Sequence, residues 1–308
     1  MDVVSELFPN GGWDVHHHIV DRTRALRILP NPRHLTPPPA TIDQFVAFKK
    51  KFGITKSVLT HGLSYGSDCS SLRGFVADLG AGNSKAIGVI DPDTVTPEEL
   101  RDMHRAGIRG IRVNLYKYGA MHDVELQKAA LRAHARAIQN DCPGWSMAFT
   151  HTHPEFWVKL KPFIEREIVP TGIRLVTDHF ALLKGSSMAS VEHVTQQPGS
   201  QEIIELMRAG HLYVKISAPY RVSTQAPEYE DLKPLVRAFF DANPQRVLWG
   251  SDWPHTPLMK VRTPEEALKE TPYLNVDDLA WLRSLRSWLS DEEWNTLMVA
   301  NPTALYDW

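Results

Sequence analysis

Four residues in this sequence are of the types that activate water and stabilise a developing oxyanion: His16, His18, His179 and Asp252. The first two lie in Asp14-Val15-His16-His17-His18. On an extended strand, residues two apart share a face, so Asp14, His16 and His18 are expected on one side and Val15, His17 and Ile19 on the other. Imidazoles so spaced can converge on one metal ion or one substrate group. A His pair alone is weak evidence, since His-rich runs also occur on polar surfaces. The expectation for His17 is a satisfied histidine on the outer face. What strengthens the pair is that Asp178-His179 and Trp249–His255 (WGSDWPH) also follow apolar runs. A carboxylate at Asp252 suits a general base or a metal ligand. Its plain structural alternative is a helix N-cap before Trp253-Pro254. His255 is a candidate for the substrate site, with a simple loop position as its alternative.

Two arginines fall at comparable places: Arg112, alternating with Gly110 and Asn114, and Arg221, just after Ser217-Ala218-Pro219-Tyr220. A guanidinium can grip a carboxylate or enolate bidentately. A surface salt bridge is the competing explanation for each.

Residues so far apart in the chain need a scaffold that brings strand ends together. Short apolar runs, rich in β-branched residues, recur at Trp13–His18, Lys56–His61, Lys85–Ile90, Ile108–Asn114, Ser146–His151, Arg174–His179, Leu212–Ser217 and Arg246–Asp252. Between them the pattern predicts helices over Ile42–Phe52, Pro97–Ala106, Val124–Gln139, Pro154–Ile168, Gln201–Ala209 and Tyr229–Ala242. Thr41 with Asp43 and Gln44, and Thr96-Pro97-Glu98-Glu99, read as helix starts. Strands alternating with helices imply parallel pairing through right-handed crossovers. Eight such units predict an α/β fold, a (β/α)₈ TIM barrel of one domain over residues 1–308, whose strand tips all open on one face. Asp277–Trp308 is expected to add further closing helices packed by Trp281, Trp288 and Trp294. An open doubly wound sheet is the second choice, but no Gly-rich phosphate loop follows the first strand. The Pro-rich stretch Leu29–Pro39 reads as a rim or lid of the first loop.

Bulk properties narrow the partners. The 308 residues are 43 % hydrophobic and 23 % charged, ordinary for a globular chain with a large core. A net charge of −2 gives no reason to expect nucleic acid or an anionic membrane. No apolar stretch is long enough to span a bilayer, and the N-terminus does not read as a secretory signal. Cys69 and Cys142 are the only cysteines, which points to a reduced, cytoplasmic protein. The expected partner is a small molecule; homo-oligomerisation is left open.

These segments together resemble the amidohydrolase-related family (amidohydrolase 2 type) that includes 2-pyrone-4,6-dicarboxylate lactonase and, more distantly, metal-dependent decarboxylases of aromatic and muconate-type acids. The resemblance covers almost the whole chain. It runs from Asp14-x-His16-x-His18 through Gly107–Asn114, Val176–His179, Lys215–Ser217 with Arg221, and Val247–His255 (VLWGSDWPH), and ends at Asn301–Tyr306. It implies a barrel, opening of a lactone or related C–O or C–C chemistry, and Asp252 as the residue that handles the attacking water. It further implies that His16, His18 and His179 polarise the carbonyl and that Arg112 and Arg221 orient an acidic substrate. The sequence departs from the lactonase at Tyr118 and Leu182, which stand where that enzyme looks to have arginines, and at Leu63, which replaces a threonine, with Ser64 and Tyr65 alongside. Tyr118, Ser64 and Tyr65 therefore join the candidates for substrate contact, and a larger, more apolar or aromatic lactone suits the exchange. Losing two cations makes a dicarboxylate a poor ligand.

The resemblance leaves a metal undecided. Metal-dependent relatives use the His pair, a fifth-strand histidine and the eighth-strand aspartate. That position falls on Thr150, with His151 next and His153 beyond. A divalent site would thus be His16, His18, His151 and Asp252, with zinc or manganese suited to the mixed ligands. Without an ion, Asp252 acts on water alone and the histidines and arginines stabilise the oxyanion. Metal-dependent non-oxidative decarboxylation is the alternative reaction, and a non-catalytic small-molecule-binding barrel is the alternative from another class.

Overall fold

Apolar runs occupy all eight expected places and are buried along nearly their whole length, as a parallel sheet covered on both faces requires. The computed structural model describes residues 7–24, 37–258, 263–267 and 269–308. Its strands are β1 (Trp13–His17), β2 (Lys56–Thr60), β3 (Ser84–Gly88), β4 (Ile108–Arg112), β5 (Ser146–Phe149), β6 (Arg174–Thr177), β7 (Leu212–Ile216) and β8 (Val247–Trp249). They pair in parallel in chain order. The ring is completed just beyond the tips of β1 and β8: His17 bridges Trp253, the Asp252 N–H donates to His16 O at 2.8 Å, and the His18 N–H to Trp253 O at 2.8 Å. The architecture is the (β/α)₈ barrel.

Seven strands stop one to three residues before the polar residue that ends the run read for them: His18, His61, Asn114, His151, His179, Ser217 and Asp252. Those groups therefore sit on the first residues of the loops, whereas His16 and Arg112 lie on β1 and β4 themselves. The outer layer includes α1 (Ile42–Phe52), α2 (Ser70–Leu79), α3 (Pro97–Arg105), α4 (Val124–Ile138), α5 (Trp157–Phe163), α6 (Ser200–Arg208) and α7 (Lys233–Ala242). Of these, α2 was not anticipated. The expected helix over Pro154–Ile168 is broken into a 3₁₀ turn, α5 and a π turn at Ile164–Ile168. A short α8 (Pro264–Ala267) follows, then α9 (Asp278–Ser287), α10 (Asp291–Asn295) and α11 (Asn301–Tyr306). Both expected helix starts are capping boxes: Thr41 with Gln44, and Thr96 with Glu99 behind Pro97. Pro37–Pro39 is described, whereas the rest of the Leu29–Pro39 stretch lies outside the described residues.

The barrel interior is a separate apolar layer of Trp13, Val15, Val58, Ile87, Val176 and Leu248, among others, closed by Leu305 and Tyr306 of α11. Val15 belongs to this layer because the register of β1 shifts between Asp14 and His17, so the strict alternation expected there is broken. Asp14 meanwhile ties the β1–β8 joint, accepting from Ser251 N at 3.0 Å and Ser251 Oγ at 2.6 Å. Gly250 is set by the same close approach. A Cβ there would lie 2.5 Å from His16 Cβ and 2.8 Å from His16 N. Gly250→Ala is therefore expected to destabilise the fold by about 1–3 kcal/mol, the usual range for overpacking. It should also displace His16, seen as a fall in both melting temperature and turnover; an unchanged melting temperature would remove the argument for this glycine.

Candidate active site

Parallel strands deliver all their C-terminal tips to one end, and the polar side chains gather there. His16, the base of the cluster, is fully buried: its Nδ1 lies 3.3 Å from Asp178 Oδ1 and 3.2 Å from Lys215 Nζ, and its Nε2 lies 3.4 Å from Asp252 Oδ1. His18 Nδ1 donates to Thr60 O at 2.8 Å, and its Nε2 lies 3.6 Å from the same Asp252 oxygen. The His179 ring packs 4.9 Å from that of His16 and is held by Ser217 Oγ at 2.9 Å from Nδ1.

Asp252 is gripped on one side only. Oδ2 accepts from Tyr220 Oη at 2.6 Å and from Arg221 at 3.0 Å, while Oδ1 is buried without a hydrogen-bond partner and faces the imidazoles. Burial pushes this carboxyl upward, but Arg221 and His179 outweigh it and hold the group well below the usual carboxylate range. Asp178 behaves alike, with Lys215 and His16 overcoming burial. Burial lowers His16 to about 4 and His179 further, so both rings are neutral near pH 7. Lys215, fully buried, pairs with Asp178 at 3.1 Å.

Backbone strain marks the same place. His179, Phe180, Ala181 and Leu182 have φ of 55°, 59°, 53° and 57°, and Asp252 has φ of 59°. Left-handed geometry costs non-glycine residues about 1–2 kcal/mol each. Such runs persist only where surrounding structure fixes them, as at ligand sites. Here the turn carries His179 at one end and Leu182 at the other, both on the wall of a cavity of about 250 Å³.

That cavity brings together most of the expected residues. Its floor carries His18, His179, Asp252, Arg112, Arg221 and Thr150, with His16 just beneath. Tyr65 also lines it, its hydroxyl accepting from Asp21 N at 3.0 Å. Four expectations fare differently. Tyr118 turns away, edge-on to His134 of α4, and Tyr116 takes the wall instead. His151 is buried among Phe149, Phe156 and Trp157 rather than beside His16 and His18, so it does not complete a metal set. His255 sits behind the wall, bonded to Asp278 at 2.9 Å and edge-on to Tyr220. Of Ser64 only the backbone, in the turn Leu63–Tyr65, is described. The sequence reading missed Tyr220 and Lys215. A signal existed for Lys215: a lysine inside Leu212–Ile216, in a sheet buried on both faces, must find a partner within the barrel.

Comparison with known proteins fits this geometry. The sequence pattern described as Amidohydrolase matches residues 13–308. The chain belongs to the amidohydrolase family. Among proteins similar to this family member, a 4-sulfomuconolactone hydrolase of Hydrogenophaga intermedia is 28 % identical over 97 % of this chain and 90 % of its own. A 2-pyrone-4,6-dicarboxylate hydrolase of Comamonas testosteroni is 27 % identical over 84 % of this chain and 82 % of its own. A ligand-free crystal structure from Agrobacterium tumefaciens shares the fold, with a TM-score of 0.76 at 22 % identity over 98 % of this chain and 97 % of that one.

His16 Nε2, His18 Nε2 and Asp252 Oδ1 lie within 4.8 Å of one another. The first and last of these are buried without a hydrogen-bond partner. The outer nitrogens of both rings face a carboxylate and a backbone carbonyl, the arrangement that orients ligating histidines. This donor set fits a divalent ion.

Proposed function

We propose that this amidohydrolase opens the ring of a lactone or cyclic ester of an acidic small molecule, with Asp252 as the base for water. The observation that carries the reading is the one-sided grip on Asp252: Tyr220 and Arg221 hold Oδ2, and Oδ1 is left aimed at the space before His16 and His18. Water placed there gives a proton to Oδ1 as its oxygen attacks the lactone carbonyl. His179, on the cavity wall with its Nδ1 held by Ser217 Oγ, is positioned to steady the oxyanion. The ring C–O bond then breaks, and the departing oxygen takes a proton back, giving a hydroxy acid and restoring the carboxylate. The relatives named for lactones support the substrate class. A zinc or manganese ion, held by His16, His18 and Asp252, would supply Lewis acidity to the carbonyl.

Hydrolysis in ¹⁸O-labelled water tests this directly. One labelled oxygen is expected in the new carboxylate and none in the hydroxyl; label in the hydroxyl would mean attack elsewhere. A second reading, metal-dependent non-oxidative decarboxylation, rests on the same His16–His18–Asp252 donor set and differs in releasing carbon dioxide from an aryl or muconate-type acid.

A further inference from the structure

Among the described residues, the cavity wall carries three arginines, Arg22, Arg112 and Arg221, and a single carboxylate, Asp252. Two of the guanidiniums are already engaged. Arg221 donates to Asp252 Oδ2 and to Thr256 O and Oγ1, and Arg22 meets Glu270 and Pro37 O. Arg112, half-buried at the tip of β4, forms no hydrogen bond or ion pair with any described residue. Near it His61 is buried; its Nδ1 accepts from Val89 N–H, so the ring hydrogen lies on Nε2, which has no partner either. The upper wall is apolar: Leu63, Tyr116, Met121, Leu182 and Leu258.

We infer that the substrate is a monoanion, a lactone whose one carboxylate is received by Arg112 and whose remaining substituent is uncharged, apolar or aromatic, and lies against Leu63, Tyr116, Met121 and Leu182. This rests on the lactone-opening reading and adds the substrate's charge and orientation to it. A partly desolvated guanidinium needs an anion, and one unengaged guanidinium serves one anion. Among the described residues, a second carboxylate would have to sit on the apolar wall unpaired, or draw Arg22 from Glu270 or Arg221 from Asp252. Leu182 is the residue that decides this, because the left-handed turn fixes its side chain against the cavity three positions after His179.

Lactam analogues bind without ring opening, so binding and chemistry can be read apart. Calorimetry on the wild-type protein would compare 4-phenyl-2-pyridone, 4-phenyl-2-pyridone-6-carboxylate and 2-pyridone-4,6-dicarboxylate. The phenyl monocarboxylate should bind at least about tenfold more tightly than either of the others, the scale of one charged hydrogen-bond pair. Arg112→Met should remove about tenfold or more from both carboxylates and leave the neutral phenyl pyridone within about threefold. Leu182→Arg should shift the ratio of dicarboxylate to monocarboxylate affinity by at least about tenfold toward the dicarboxylate. Equal or tighter binding of the dicarboxylate to wild type, or an Arg112→Met loss as large for the neutral ligand, overturns the inference. The matching 2-pyrones separate the two readings. Binding in the expected order without ring opening refutes the hydrolase and keeps the monoanion; ring opening with the dicarboxylate preferred does the reverse.

Discussion

Asp252→Asn is expected to lower kcat by about 10³-fold or more while leaving the barrel folded. General-base catalysis contributes about 10²–10⁴-fold. Here the loss belongs near the upper end, because the remaining titratable groups around the cavity floor are poor substitutes. His16 Nδ1 is engaged by Asp178 and Lys215, His179 Nδ1 is held by Ser217 Oγ, and Asp178 is committed to Lys215. The fold should survive because the amide is isosteric. Its oxygen can accept from Tyr220 and Arg221 as Oδ2 does now, and its NH₂ would take the place of Oδ1 before His16 Nε2 and His18 Nε2. The left-handed backbone at position 252 suits asparagine as well as aspartate. Single-turnover rates with circular-dichroism melting check both halves. Turnover within about tenfold of wild type would show that Asp252 does not activate the water.

Acid should unfold the protein well before carboxylate titration alone would. His16, His61 and His151 are lowered by burial to about 4, and His17 and His179 further. In the unfolded chain these rings titrate near 6.5, so between pH 6.5 and about 4 the unfolded state takes up protons that the fold refuses. The stability they contribute is present above 6.5 and is lost as pH falls. Asp14 works the other way: burial raises it to about 6, so the fold favours its protonated form as pH falls. Each proton is worth about 1.4 kcal/mol per pH unit, so the balance is on the order of 5 kcal/mol per unit near pH 5, comparable with the whole stability of a typical protein. Urea unfolding at pH 7.5 and 5.5 measures it. A clearly lower midpoint at pH 5.5 with an unchanged m-value is expected, and equal midpoints would contradict the buried-neutral assignment.

Much of this was legible in the chain itself, and the misses have common causes. The eight strands were visible because parallel strands buried on both faces are written as continuous apolar runs. Their ends were not, since a polar residue after such a run looks the same whether ladder pairing continues through it or has stopped. Parity arguments fail beyond that point. Past β4 the chain turns through Asn114 O and Lys117 N–H and the left-handed Gly119, and Tyr116 rather than Tyr118 reaches the cavity. Past β5, Thr150 faces inward, donating to Asp178 Oδ2 at 3.0 Å, and His151 packs among aromatic rings. Tyr220 escaped notice because its partner is 32 positions away and only the folded loop brings the two together.

The joint between the first and last strands has a consequence for how this protein fails. The backbone bonds there run from Asp252 to His16 and from His18 to Trp253, so the groups assigned to chemistry are the fasteners of the cylinder. The staves cannot part there without carrying those side chains out of alignment. Under heat or denaturant, turnover should therefore be lost no later than that joint opens.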